Sequence, residues 1–127
     1  MNSSKHSREM QRRKLKSVEF EDYIRPDVRR KFPLYLGWNI DQERSVRDGT
    51  RPDYVLYRVK YGKKERAVVE AKDVAVLTKA HVDQLDHYCR MYHATYRLLY
   101  IPQRTLIDSA VREYAYDLGI QIVRTYF

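Results

Sequence analysis

The hydrophobic positions of this chain change their period along its length. Phe20, Ile24 and Val28 recur at the spacing of one helix face, which predicts a first helix from Ser17 onward. Pro26 lies inside this stretch and disfavours a helical conformation in the residue before it. The segment is therefore either one kinked helix or two short helices.

Three strand-like segments follow. Residues 38–46 (WNIDQERSV) alternate loosely between apolar and polar, and residues 54–59 (YVLYRV) are rich in β-branched and aromatic side chains. Residues 66–72 (RAVVEAK) have the same character, and the turn-like residues 61–64 (YGKK) separate them from the preceding segment. We expect these last two strands to pair as an antiparallel hairpin.

The second half of the chain alternates between helix and strand patterns. Residues 79–92 carry apolar positions every three or four residues, which is typical of an amphipathic helix. Residues 96–101 (YRLLYI) predict a short buried strand that Pro102 ends. Thr105 and Asp108 resemble a helix-capping signature before the next apolar stripe.

That last helix is expected to stop at Gly119, and residues 120–123 predict a final strand. The order helix, three strands, helix, strand, helix, strand predicts an α/β fold. Its mixed β-sheet combines an antiparallel hairpin with parallel strands and is flanked by helices. Tyrosines at strand and stripe positions are expected in the core: Tyr35, Tyr54, Tyr57, Tyr96 and Tyr114.

Composition narrows the class of protein. With 127 residues and 43% hydrophobic residues, the chain has the size and apolar content of one folded domain. It contains no apolar run long enough for a membrane span and no secretory-type leader, so we expect a cytoplasmic protein that is neither secreted nor in a membrane. The single cysteine, Cys89, excludes an intrachain disulfide.

The balance of charge favours a polyanionic partner. The chain has 25 Lys and Arg against 17 Asp and Glu, a formal net charge of +8. Residues 1–16 contain six Lys or Arg and one Glu, so this basic arm carries +5, and residues 17–127 are expected to form the folded domain. We expect the arm to be flexible and to contact DNA phosphates. Its candidate DNA-binding residues are Arg8, Arg12, Arg13, Lys14 and Lys16.

Three residues of the predicted hairpin suggest chemistry. Side chains alternate along a strand, so Glu70 and Lys72 project to one face, where Asp53 at the start of the paired strand can meet them. Two converging carboxylates suit Mg²⁺, which takes one or two carboxylates with waters and phosphate oxygens. Lys72 would orient the attacking water and offset negative charge during phosphodiester hydrolysis. Mn²⁺ is the expected substitute for Mg²⁺.

Pro52-Asp53 and Glu70-Ala71-Lys72 resemble the signature of the PD-(D/E)XK nuclease superfamily, and Val68-Val69 resemble the apolar strand that precedes it. Within that superfamily, YIRPDVRRKFPLYLGWNI, RPDYVLY and AVVEAK are most similar to the N-terminal nuclease domain of type I restriction R subunits. The resemblance implies a restriction-endonuclease-like fold. It also implies that Asp53, Glu70 and the backbone carbonyl of Ala71 bind the metal.

The resemblance implies further site residues. Gln84 and Tyr88 match a Q-x-x-x-Y element that helps to place DNA or brace the site, although Tyr88 could instead flank the core while Gln84 is solvated. The superfamily often adds an acidic residue from the first helix. Glu21 lies beside the apolar stripe of that helix, whereas Glu19 points to the opposite side, so Glu21 is the candidate catalytic residue.

Other functions have weaker support. The chain has no G-x-x-x-x-G-K-[ST] sequence, so we expect no nucleotide cofactor. His81, His87 and His93 are spaced by six and do not stack on one helix face, which argues against zinc. His81 lies three residues before Gln84 and could reach a DNA groove, but a solvated position at the helix start is the preferred interpretation.

The sequence thus predicts a metal-dependent DNA endonuclease, a phosphodiester hydrolase. A restriction or repair nuclease and a Holliday-junction resolvase both remain open, and either would act as a homodimer if it cuts both strands. The alternative from another class is a non-catalytic DNA-binding module with a nuclease fold, and an RNA nuclease is a third possibility.

Overall fold

The computed structural model of the chain describes residues 19–43 and 51–127. Helix α1 covers residues 19–31, and a 3-10 turn at Leu34–Leu36 follows it. The remaining elements are strand β1 (Asn39–Glu43), strand β2 (Tyr54–Lys60), strand β3 (Lys63–Ala71), helix α2 (Lys79–Tyr92), strand β4 (Tyr96–Pro102), helix α3 (Ser109–Asp117) and strand β5 (Gln121–Thr125). None of the helices in these ranges combines the length and apolar character needed to cross a bilayer.

The five strands form one mixed sheet in the order β1-β2-β3-β4-β5. Strands β1, β2 and β3 pair antiparallel, whereas β3, β4 and β5 pair parallel. Each parallel connection passes through a helix, α2 or α3, as parallel pairing requires. The predicted α/β fold with a mixed sheet is therefore confirmed.

A two-residue turn joins β2 to β3. Tyr61 and Gly62 both have positive φ, 51° and 75°, which is the backbone of a type I′ hairpin turn. Lys60 pairs with Lys63 directly across it. Strand β3 therefore begins three residues earlier than predicted, because the turn needs two residues and not four.

The alternation of β3 divides the apolar side chains between two faces of the sheet. Val69 packs in the cluster that contains Phe20 and the rest of the α1 stripe, and Val68 packs in the cluster that contains Val82 and the α2 seam. Helix α1 continues through Pro26 as one element, which excludes the two-helix alternative. The site described below lies on the α2 face.

The start of α3 differs from the prediction. Asp108, not Thr105, is the N-cap, and its carboxylate accepts a hydrogen bond from the backbone of Val111 at 2.9 Å. The Thr105 hydroxyl instead donates to the backbone carbonyl of Val74 at 2.7 Å. Leu106, which follows Thr105 in the sequence, lies before the helix and is 67% exposed. A threonine hydroxyl can hydrogen-bond to a neighbouring loop as well as to a helix end. Which of the two it does depends on the tertiary structure.

Two tyrosines expected in the core are exposed. Tyr35 is 87% exposed because it lies in the 3-10 turn between Pro33 and Gly37, where all three turn residues face outward. Tyr96 is 38% exposed at the first position of β4. Tyr54 is fully buried as predicted. The other two, Tyr57 and Tyr114, are half-buried.

Candidate active site

Asp53 and Glu70 meet at the open end of the β2–β3 hairpin. The register pairs Tyr54 with Val69, so the next pair of residues outward is Asp53 and Glu70. The Asp53 backbone N–H donates to Glu70 Oε1 at 2.8 Å, and the Ala71 backbone N–H donates to Asp53 Oδ2 at 2.7 Å. The two residues are 7% and 4% exposed. The hairpin backbone therefore holds both side chains in place.

Lys72 connects this pair to helix α2. Its Nζ lies 3.5 Å from Glu70 Oε2 and donates to Gln84 Oε1 at 2.7 Å. Gln84 Nε2 in turn donates to the Tyr88 hydroxyl at 3.4 Å. Gln84 and Tyr88 share one face of α2 because they are four residues apart. Gln84 is half-buried and hydrogen-bonded through both its amide oxygen and its amide nitrogen, whereas Tyr88 is buried in the cluster that contains Val82, as the alternative expected.

Burial makes the negative charge at Glu70 unfavourable. Loss of hydration, followed by the nearby negative charge of Asp53, raises the pKa of Glu70 above its ordinary value. The positive Lys72 and the hydrogen bonds to Glu70 oppose that rise without cancelling it. A cation placed between the carboxylates would relieve this cost, so the electrostatics favour cation binding.

A cavity of about 320 Å³ opens onto these residues. Asp53, Glu70, Lys72, Gln84 and Tyr88 all line it. These five residues come from the hairpin formed by β2 and β3, from its immediate flanks and from α2, and the structure brings them together at one opening.

Four further lining residues were not predicted as site residues: Arg51, Asp73, Val74 and His81. Arg51 and Asp73 are sequence neighbours of the signature residues, two before Asp53 and one after Lys72. Asp73 forms an ion pair with Arg104, which ties the segment after β3 to the loop after β4.

His81 and Gln84 lie on the same face of α2, because they are three positions apart along the helix. This spacing was the only sequence signal that could have placed His81 at the site.

The remaining predicted site residues lie elsewhere. Glu21 is half-buried on α1 and does not line the cavity, but its backbone carbonyl accepts a hydrogen bond from the Tyr54 hydroxyl at 2.9 Å. Helix α1 is therefore anchored to Tyr54, the residue after Asp53 in the sequence, and a catalytic role for Glu21 stays a prediction. The basic residues of the arm fall outside the described residues: Arg8, Arg12, Arg13, Lys14 and Lys16.

The atoms of Asp53 and Glu70 that could bind a metal ion are oxygens. Across residues 19–43 and 51–127, no group of three or more His, Cys, Asp or Glu side chains is gathered as a metal site. The site instead offers two carboxylates and the backbone of Ala71, whose N–H points to Asp53 and whose carbonyl lies on the same edge of the strand. Two carboxylates and a carbonyl fit Mg²⁺, which keeps several waters, better than zinc, which needs a full set of protein ligands.

Comparison of this chain with protein-family models, with curated proteins and with solved structures gave no match.

Proposed function

We propose that this protein is a metal-dependent DNA endonuclease with a restriction-endonuclease-like fold. The observation that carries the proposal is the connected set of Asp53, Glu70 and Lys72 at one cavity, with Gln84 holding the Lys72 ammonium group. The set combines a hard-cation site with a fixed positive charge. The net charge of +8 supports a polyanionic substrate.

The chain's own residues have distinct tasks in this proposal. Asp53, Glu70 and the Ala71 carbonyl would hold Mg²⁺, which when bound supplies Lewis acidity and a more acidic water. Lys72 orients the attacking water by hydrogen bonding and offsets the negative charge that develops on the phosphate. Gln84 fixes the direction of Lys72 because its Oε1 accepts from Nζ at 2.7 Å.

Cleavage assays with matched variants test this proposal. Purified protein is incubated with plasmid, linear, single-stranded and four-way-junction DNA in Mg²⁺, Mn²⁺ or EDTA. Lys72→Ala should lose cleavage, whereas Lys64→Ala, an exposed lysine of β3 outside the cavity, should retain it. Intact DNA throughout, with binding retained, would favour the non-catalytic DNA-binding module instead.

The same panel separates the two subclasses. Preference for the four-way junction over its linear duplex arms would indicate a resolvase, and preference for duplex sites or ends would indicate a restriction or repair nuclease. Cutting both strands calls for two sites, so a two-fold homodimer belongs to the proposal. Light scattering that returned only monomer, with and without DNA, would refute the dimer.

A further inference from the structure

His81 lies at the site but belongs to none of the predicted roles. It is the third residue of α2, and with Gln84 and Tyr88 it forms a stripe at steps of three and four that faces the cavity. It is half-buried. Its ring is close enough to Lys72 for the ammonium charge to act on it.

One ring nitrogen of His81 is hydrogen-bonded to the N-terminal end of α2. The backbone N–H of Thr78, the N-cap residue, donates to His81 Nδ1 at 2.9 Å, and the Thr78 hydroxyl lies 3.1 Å from the same atom. This is the arrangement of a capping box, in which the third helical residue reaches back to the cap. A backbone N–H can only donate, so Nδ1 carries a lone pair and the proton of the neutral ring is on Nε2.

The ring is neutral at neutral pH. Burial, and then the positive charge of Lys72, lower the pKa of His81 below its ordinary value of 6.5. Nε2–H is therefore a neutral hydrogen-bond donor that no other described residue engages. A protonated Nε2 cannot bind a metal, and Nδ1 already accepts the capping hydrogen bond. His81 therefore cannot be a metal ligand while that hydrogen bond is present.

We propose that His81 is a substrate-contact residue whose Nε2–H donates to a non-bridging oxygen of a DNA phosphate in the cavity. This inference rests on the proposed nuclease function. The phosphate would then lie between the carboxylate pair and the α2 stripe, with Lys72 supplying a charged donor and His81 a neutral one. The capping box sets the tautomer, so the helix start and the substrate contact depend on one side chain.

The experiment must separate substrate contact from capping. His81→Leu removes both the capping acceptor and the Nε2–H, and its bulk keeps water from replacing the ring. Thr78→Ala is the matched control, because it weakens the same helix cap but leaves the backbone N–H that sets the His81 tautomer. His81→Gln restores a capping acceptor and offers an amide N–H as a replacement donor.

The expected results differ between the two variants. Both His81→Leu and Thr78→Ala should lower the melting temperature by a few degrees. The kcat/KM for DNA cleavage should fall about ten- to hundred-fold in His81→Leu, the effect of removing one hydrogen bond to a charged group, and less than about two-fold in Thr78→Ala. His81→Gln should recover most of the activity. Equal falls in activity in His81→Leu and Thr78→Ala would overturn the proposal.

A binding measurement distinguishes failure of this contact from failure of the nuclease function. In the Lys72→Ala background, where cleavage is not expected, the affinity for a fluorescein-labelled DNA duplex is measured by anisotropy with and without His81→Leu. Weaker binding in the double variant supports the contact even if the parent protein cuts no DNA, in which case only the nuclease function fails. Unchanged binding, together with unchanged cleavage, refutes the contact while leaving the nuclease function intact.

Discussion

Replacing Glu70 by glutamine should stabilise the metal-free protein at alkaline pH and abolish the proposed metal-dependent activity. Glutamine has nearly the same shape, and its Oε1 can still accept the hydrogen bond that the Asp53 backbone N–H now gives to Glu70 at 2.8 Å. What changes is the charge. Glu70→Gln therefore tests the central electrostatic inference about the site with little change in packing.

The surroundings of Glu70 give the sign of the effect and its order of magnitude. Burial and then Asp53 raise the pKa of Glu70 from 4.5 to about 8. Below pH 4.5 the folded and unfolded states are both protonated, and stability is lost as pH rises from there through about 8, because the unfolded chain ionises first. At about 1.4 kcal/mol per pKa unit, the full loss is on the order of 5 kcal/mol.

Glutamine avoids that loss. The pKa of about 8 already includes the attraction of Lys72 Nζ, 3.5 Å from Glu70 Oε2, so the net gain at high pH is on the order of 5 kcal/mol. For a domain of this size the gain corresponds to a rise of about 15 °C in melting temperature. Near pH 4.5 the gain should vanish.

Thermal and urea unfolding across this pH range, with and without Mg²⁺, measure the effect. At high pH, Mg²⁺ should stabilise the parent protein, by about 2.7 kcal/mol at a hundred times its Kd, and should leave Glu70→Gln unchanged. Glu65→Gln, on β3 but paired with Arg58 and outside the cavity, is the control and should keep the Mg²⁺ response. A Glu70→Gln protein that is less stable than the parent at high pH, or that still responds to Mg²⁺, would refute the reasoning.

Three other predictions concern the core, the opposite face of the sheet and the basic arm. Leu99→Ala should cost about 2–5 kcal/mol in urea unfolding, because Leu99 is fully buried in the cluster beneath α2; a cost below about 1 kcal/mol would contradict that packing. Tyr100→Phe should cost about 1–2 kcal/mol near neutral pH, since the Tyr100 hydroxyl donates to Asp27 at 2.6 Å, and should leave DNA cleavage unchanged. Burial acts to raise the pKa of Asp27, but Tyr100 and two neighbouring cations outweigh burial and lower the pKa below 3.8. The stability that this hydrogen bond contributes is therefore lost as pH falls through the lowered pKa of Asp27. The stability difference between the parent protein and Tyr100→Phe should shrink in that pH range. Deleting residues 1–16 should flatten the dependence of log Kd for DNA on log salt by about 0.9 for each phosphate that the arm neutralises; an unchanged slope would show that the arm does not bind phosphates.

Much of the fold could be predicted because its signals are local. The bounds of α2 follow from its apolar period, and the sheet's mixed pairing follows from a hairpin succeeded by helix–strand alternation. The same locality explains the errors. Tyr35 has the composition of a core residue, yet its exposure depends on a three-residue turn that no period reveals.

One part of the candidate site could be predicted from the sequence, and another part could not. Strand alternation by itself determined that Glu70 and Lys72 share a face and that Asp53 could meet them, because a period of two is a property of the backbone. Only the tertiary structure decided the inward burial of Glu70, the bond from Lys72 to Gln84 and the position of His81 at the cavity. These depend on how α2 packs across β3, a relation between distant segments that local spacing does not contain.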